Sequence, residues 1–127
     1  MVRSFSRFAL GALAIGAFLA APAALAGDAA AGKAKYDMFC SSCHGPTGKG
    51  DGPVGAALNP KPRDFSAGDF LLDTDGDGKV GTDADLKNVV KNGGGAYGGS
   101  AMMAPWGATL SDADLDNILA FVRSLKQ

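Results

Sequence analysis

The chain of 127 residues has no glutamate, one histidine, two cysteines and one tryptophan, and the shortages each remove a class of function. A single His excludes a His-cluster metal site built within one chain, and two Cys allow at most one disulfide, so this is no disulfide-dense scaffold. Positive charge is not in excess: twelve Lys plus Arg face thirteen acids, all of them Asp, for a formal net charge of −1. A nucleic-acid-binding surface needs the opposite balance. The length leaves room for one ordinary domain and excludes a multidomain enzyme. No segment alternates apolar and polar residues long enough to read as a strand, so the domain is expected to be all-α.

What is present begins with a segment that does not read as fold. Arg3 and Arg7 make a basic start, Phe8 to Ala21 is uncharged and rich in Ala, Leu and Phe, and Ala24-Leu25-Ala26 offers small residues at a cleavage site. Residues 1–26 are therefore expected to be a secretory signal peptide and 27–127 the mature domain, exported to the periplasm. The alternative is an uncleaved anchor, because Phe8 to Gly27 carries no charge and twenty helical residues just cross a hydrocarbon core of roughly 30 Å. Without residues 1–26 the basic count falls from twelve to ten by loss of Arg3 and Arg7, against thirteen acids, giving −3. Seventeen of the 19 glycines stay with the mature domain, most of them between Gly45 and Gly107. A small domain with so much loop needs a staple.

The staple is Cys40-Ser41-Ser42-Cys43-His44. Two thiols three positions apart, followed at once by an imidazole, match the attachment motif of c-type haem, in which the thiols bind the haem covalently and the His coordinates iron. Scattering two Cys and one His at random would produce this arrangement on the order of once in ten thousand chains of this length. A redox-active Cys-x-x-Cys would sit in a strand and helix pattern that is missing, a zinc site would want a fourth ligand, and a simple disulfide would leave His44 without a purpose.

Helix signals flank the motif. Gly32, Tyr36 and Cys40 are spaced four apart, on one helix face. Thr82 with Asp85 makes an N-cap with an acid in the first turn, Leu86, Val89 and Val90 form an apolar stripe, and Asn92-Gly93 is a stop signal. Ser111 with Asp114 repeats the start signal ahead of Leu115, Ile118, Leu119, Val122 and Leu125 or Lys126 at helical spacing. Iron needs a sixth ligand, and with no second His the realistic choices are a thioether or an open position. Met1 leaves with the signal and Met38 is tied to the attachment helix, so Met102 and Met103 are the candidates.

Over nearly all of Asp28 to Gln127 the chain resembles the small monohaem class I cytochromes c. Gly50-Asp51-Gly52-Pro53, Lys61-Pro62-Arg63-Asp64-Phe65, Met103-Ala104-Pro105-Trp106-Gly107 and the closing Leu119 to Leu125 carry the likeness, with the N-terminal small residue and aromatic matching Gly32 and Tyr36. The resemblance implies three main helices and long loops wrapped around one covalent haem, with Gly32 and Tyr36 packed across the C-terminal helix. It also selects Met103, three residues before Trp106, as the axial ligand, although Ala104 stands where the family often has Pro. By the same likeness the Pro53 carbonyl accepts from His44. The Arg63 guanidinium, well shaped for a carboxylate, is a candidate partner for a haem propionate, with a solvated loop arginine as the alternative, and Trp106 is expected to line the pocket. The implied function is one-electron transfer between periplasmic or membrane-associated redox proteins, such as an oxidase, a reductase or a dehydrogenase. No bond chemistry, small-molecule substrate or nucleic acid is expected, and the form expected is a monomer. The alternatives are a subunit of a larger oxidase or dehydrogenase complex, and a haem sensor or enzyme with an open distal site. Lys49, Lys61, Lys87 and Lys91 are the basic residues expected around the exposed haem edge.

One segment stands outside this reading. Asp73-Thr74-Asp75-Gly76-Asp77-Gly78 reproduces the first six positions of an EF-hand calcium loop, but the twelfth is Ala84, flanked by Asp83 and Asp85. Asp73, Asp75, Asp77 and Asp85 are the candidate calcium ligands, and the competing reading is an Asp- and Gly-rich turn leading into the helix that starts near Thr82.

Overall fold

The computed structural model describes residues 27–127; the expected signal or anchor segment, 1–26, lies outside the described residues. Four α-helices appear in chain order: α1 (Ala29–Phe39), α2 (Ser41–His44), α3 (Asp83–Asn92) and α4 (Asp112–Ser124). Three short 3-10 turns, Gly55–Ala57, Phe65–Ala67 and Gly94–Tyr97, punctuate the loops, and no strand occurs among the described residues. The fold is all-α with three main helices, as the apolar spacing and cap residues predict.

Each main helix starts where a side-chain oxygen satisfies free backbone N–H groups. Asp28 accepts from Ala30 N and Ala31 N at the head of α1. Thr82 with Asp85, and Ser111 with Asp114, form reciprocal capping boxes at α3 and α4, each cap contributing about 1 kcal/mol. α3 stops at Gly93, whose φ of 84° a side chain would resist.

The organising contact is the crossing of α1 and α4. A Cβ built on Gly32 would lie 1.8 Å from the Asn117 carbonyl oxygen, so the two helix backbones touch only because Gly32 has no side chain. One turn later Tyr36 is fully buried with its ring edge-on to Phe121, centroids 4.9 Å apart. The α4 stripe of Leu115, Ile118, Leu119 and Val122 completes the core with Leu86 of α3 and Leu110. Leu125 packs against it from the side, while Lys126 is exposed. Outside the core, Arg123 of α4 holds the entrance of α3 by bonding Asp83 Oδ1 and the Gly81 carbonyl. No helix of the described residues is long and apolar enough to cross a membrane.

Candidate functional site

α1 runs directly into the thiol-imidazole motif. The α1–α4 crossing sets the position of Cys40, whose N–H donates to the Tyr36 carbonyl, and the single turn α2 carries Cys43 and His44. The buried Tyr36 hydroxyl donates to the Gly45 carbonyl at 2.7 Å, tying the turn back to the core. A one-turn helix leaves most of its carbonyls unpaired, and the following loop supplies the donors: Gly50 N to His44, Gly52 N to Cys43 and Val54 N to Ser42. The approach is so close that a Cβ on Gly55 would fall 1.9 Å from the Cys43 oxygen. Sequence reasoning does not single out Gly50, Gly52 and Gly55 as clamping residues; their signal is the run Gly50-Asp51-Gly52-Pro53-Val54-Gly55, dense in glycine directly after the motif.

Cys40, Cys43 and His44 open onto a cavity of about 660 Å³, within the size range of cofactor sites. Its walls include Leu86, Val89 and Val90 of α3, Ile118, Leu119 and Val122 of α4, and the rings of Phe65, Phe70 and Trp106. Met102 and Met103 both reach it, but their settings differ. Met103 is half-buried, its carbonyl accepting from Gly94 N at 2.9 Å, whereas Met102 is 63% exposed. The loop is seated on the C-terminal turn of α3, where Trp106 N and Gly107 N donate to the carbonyls of Val90 and Lys91. Trp106 lines the cavity, with Phe39 beside it at 5.4 Å between ring centroids.

One expectation changes, the carbonyl that meets His44. Nδ1 of His44 lies 3.4 Å from the carbonyl of Arg63, not of Pro53; Pro53 is exposed and lies off the cavity wall. The loop containing Pro53 gives its N–H groups to the α2 carbonyls, and it is the segment around Arg63 and Phe65 that runs against the imidazole and brings a carbonyl to it. Phe65, unforeseen as a site residue, stacks on that imidazole at 4.5 Å and 18°. The Arg63 side chain is on the cavity wall but is held by Asp69, through Nε to its carbonyl and an ion pair to its carboxylate. Of the four lysines, Lys61 lines the cavity, Lys87 is paired with Asp116 and Lys91 with Asp112.

The donor set suits haem. Burial pushes the His44 pKa down, against a smaller upward pull from the Arg63 carbonyl, so the ring is neutral at pH 7. A proton on Nδ1 satisfies that carbonyl and leaves the Nε2 lone pair for a metal. The Cys40 thiol is pushed up to about 11, first by burial and then by Cys43. Redox-active Cys-x-x-Cys thiols are shifted the other way. Two cysteines, a neutral imidazole and thioethers around a largely apolar cavity match the requirements of a c-type haem pocket.

The calcium candidates are partly brought together. One carboxylate oxygen each from Asp73, Asp75 and Asp85 lies within 4.8 Å of the others, while Asp77 is outside that group and accepts from Lys79 N. Asp73 accepts from Gly76 N and Gly78 N, and Asp75 from Asp77 N. Asp85 accepts four hydrogen bonds from Thr74 and Thr82. The same carboxylates therefore serve as acceptors for the turn and for the α3 cap.

The fold and the site define a small helical domain whose Cys-x-x-Cys-His turn opens onto a largely apolar, cofactor-sized cavity. Residues 27–122 match the family described as Cytochrome C oxidase, cbb3-type, subunit III. Cytochrome c-554(547) of Halothiobacillus neapolitanus is 42% identical over 105 residues, 80% of this chain and the whole of that protein. A chain of the Kuenenia stuttgartiensis reducing HAO-like protein complex Kustc0457/Kustc0458 superposes with a TM-score of 0.63 at 29% identity, over 76% of this chain and 41% of that one. This chain therefore spans less than half of that structural relative. The chain belongs to the small monohaem class I cytochromes c, a family of electron carriers with covalently bound haem.

Proposed function

We propose that the mature domain is an exported one-electron carrier whose single haem is attached through Cys40 and Cys43 and ligated by His44 and Met103. The observation that carries this reading is the convergence on one apolar cavity of the Cys40–His44 turn and the half-buried Met103 loop. Bound there, haem supplies a ferric/ferrous couple, and a thioether ligand raises its potential by favouring the ferrous state. The chain's own residues keep the His44 ring neutral and oriented, exclude water through Phe65, Trp106, Leu119 and Val122, and fix the Met103 backbone on Gly94. An open distal position, as a sensor or enzyme requires, is disfavoured by Met103 on the cavity wall.

The test is the visible spectrum of oxidised and reduced protein recovered from a periplasmic extract, with Met103→Ala and Met102→Ala beside it. Methionine ligation gives ferric haem a weak charge-transfer band in the far red, which Met103→Ala should abolish and Met102→Ala should leave. The reverse pattern moves the ligand by one residue, and a band surviving both changes removes the ligand from this loop. A second reading, residence in a larger redox complex, is supported by the oxidase-subunit description of the family and by the complex that contains the structural relative. A native mass near that of the single chain would favour the free carrier, and co-purification with a membrane complex would favour the subunit.

A further inference from the structure

The two capping boxes use the same chemistry in different surroundings. Asp114, in the box of α4, is part-exposed, lies 3.2 Å from Lys35 and is off the cavity wall. Asp85, in the box of α3, is 1% exposed and lines the cavity. All four of its hydrogen bonds come from neutral donors: Thr74 N at 2.6 Å and Oγ1 at 2.8 Å on one oxygen, Thr82 N at 2.8 Å and Oγ1 at 2.7 Å on the other. Asn88 Nδ2 fixes the Thr74 hydroxyl in turn, at 2.9 Å. Among the described residues no Lys or Arg forms an ion pair with Asp85. These donors hold the carboxyl well below the usual carboxylate range, the Thr74 N–H most strongly, so the group is an anion at neutral pH.

We propose that Asp85 is a positioning residue for charge: a fixed interior anion on the haem-cavity wall that holds the reduction potential down. The inference rests on the haem reading of the cavity. When a reduced partner protein passes one electron to the ferric centre, that centre loses one unit of positive charge and no proton is needed. A carboxylate nearby stabilises the more positive, oxidised form and opposes this step. Its neutral donors offset part of the field, but they add no unit charge to cancel it. A cavity of 660 Å³ is about 11 Å across as a sphere, and a unit charge at about that distance with an effective dielectric near 20 changes an equilibrium roughly tenfold. Tenfold corresponds to about 59 mV for a one-electron couple. The opposing influences, a thioether that raises the potential and an interior anion that lowers it, would set the working value between them.

The experiment is spectroelectrochemical titration of the haem-loaded protein. Asp85→Asn should raise the ferrous to ferric ratio at a fixed applied potential on the order of tenfold, while Asp114→Asn, which weakens the matching cap, should leave it unchanged. An unchanged midpoint in haem-loaded Asp85→Asn, or an equal rise in both variants, overturns the proposal, since cap stability alone would then account for the effect. Thr74→Val keeps the carboxylate and removes one donor, so the midpoint should fall; an unchanged or raised midpoint there overturns the proposal even if Asp85→Asn does not load haem. Protein that shows no one-electron wave at all refutes the haem reading itself, a result distinct from either outcome.

Discussion

Gly32→Ala tests the contact on which the Cys40–His44 motif is positioned. On an isolated helix the change should help, because Ala is favoured over Gly by about 1 kcal/mol in a helix interior. Here the new Cβ would fall 1.8 Å from the Asn117 carbonyl oxygen, 2.4 Å from its carbon and 2.9 Å from Ile118 N. All three atoms are backbone within α4, so no side chain can swing away, and relief requires α1 to lift from α4. That separation would loosen the fully buried Tyr36 and its edge contact with Phe121. Overpacking of a tight core costs about 1–3 kcal/mol, and a backbone clash belongs at the top of that range. With the propensity gain offset, the net loss is about 2 kcal/mol, which for a domain of this size lowers Tm by roughly 8–16 °C. Thermal unfolding of the haem-loaded protein, followed by far-ultraviolet circular dichroism, measures it. A variant melting at or above the parent temperature would refute the argument, since helix propensity would then have outweighed the crossing.

Tyr36→Phe removes the donor to the Gly45 carbonyl, but that oxygen also accepts from Gly48 N at 3.1 Å, so the loss should stay near 1 kcal/mol; a loss above about 3 kcal/mol in a denaturant titration would contradict that accounting. Because the Asp85 pKa is depressed in the fold, its stabilisation is complete above the ordinary Asp value of about 3.9 and is lost as pH falls below it toward the folded value. Asp85→Asn should therefore be less stable at neutral pH and show a flatter acid limb, and parallel limbs in variant and parent would refute the linkage. If the turn hydrogen bonds fully explain the Asp73–Asp77 segment, the haem-loaded protein should melt at the same temperature in EDTA and in excess calcium. A ligand bound only by the folded state would raise Tm by mass action, so a calcium-dependent rise would support the metal site.

Much of this protein could be read from the chain alone because the interactions concerned are local. Thr82 reaches Asp85, Ser111 reaches Asp114, and Cys40 precedes His44 by four residues; when partners lie within one helical turn, their spacing nearly specifies the geometry. For the Gly32 and Tyr36 pair, spacing shows only that both share one helix face; that they pack across the C-terminal helix is what the family resemblance implies. Tertiary structure decided what depends on loops returning from a distance. His44 meets the carbonyl of Arg63, nineteen positions away, because the segment that stacks Phe65 on the imidazole returns there from a distance. Arg63 turns to Asp69, Phe65 stacks on His44, and Asp85, legible as a cap, becomes a buried anion on the cavity wall. Backbone groups and charges have no preferred sequence separation. Which acceptor meets which donor, and which carboxylate is taken out of water, follows only once the helices have crossed and the glycine loops have closed over them.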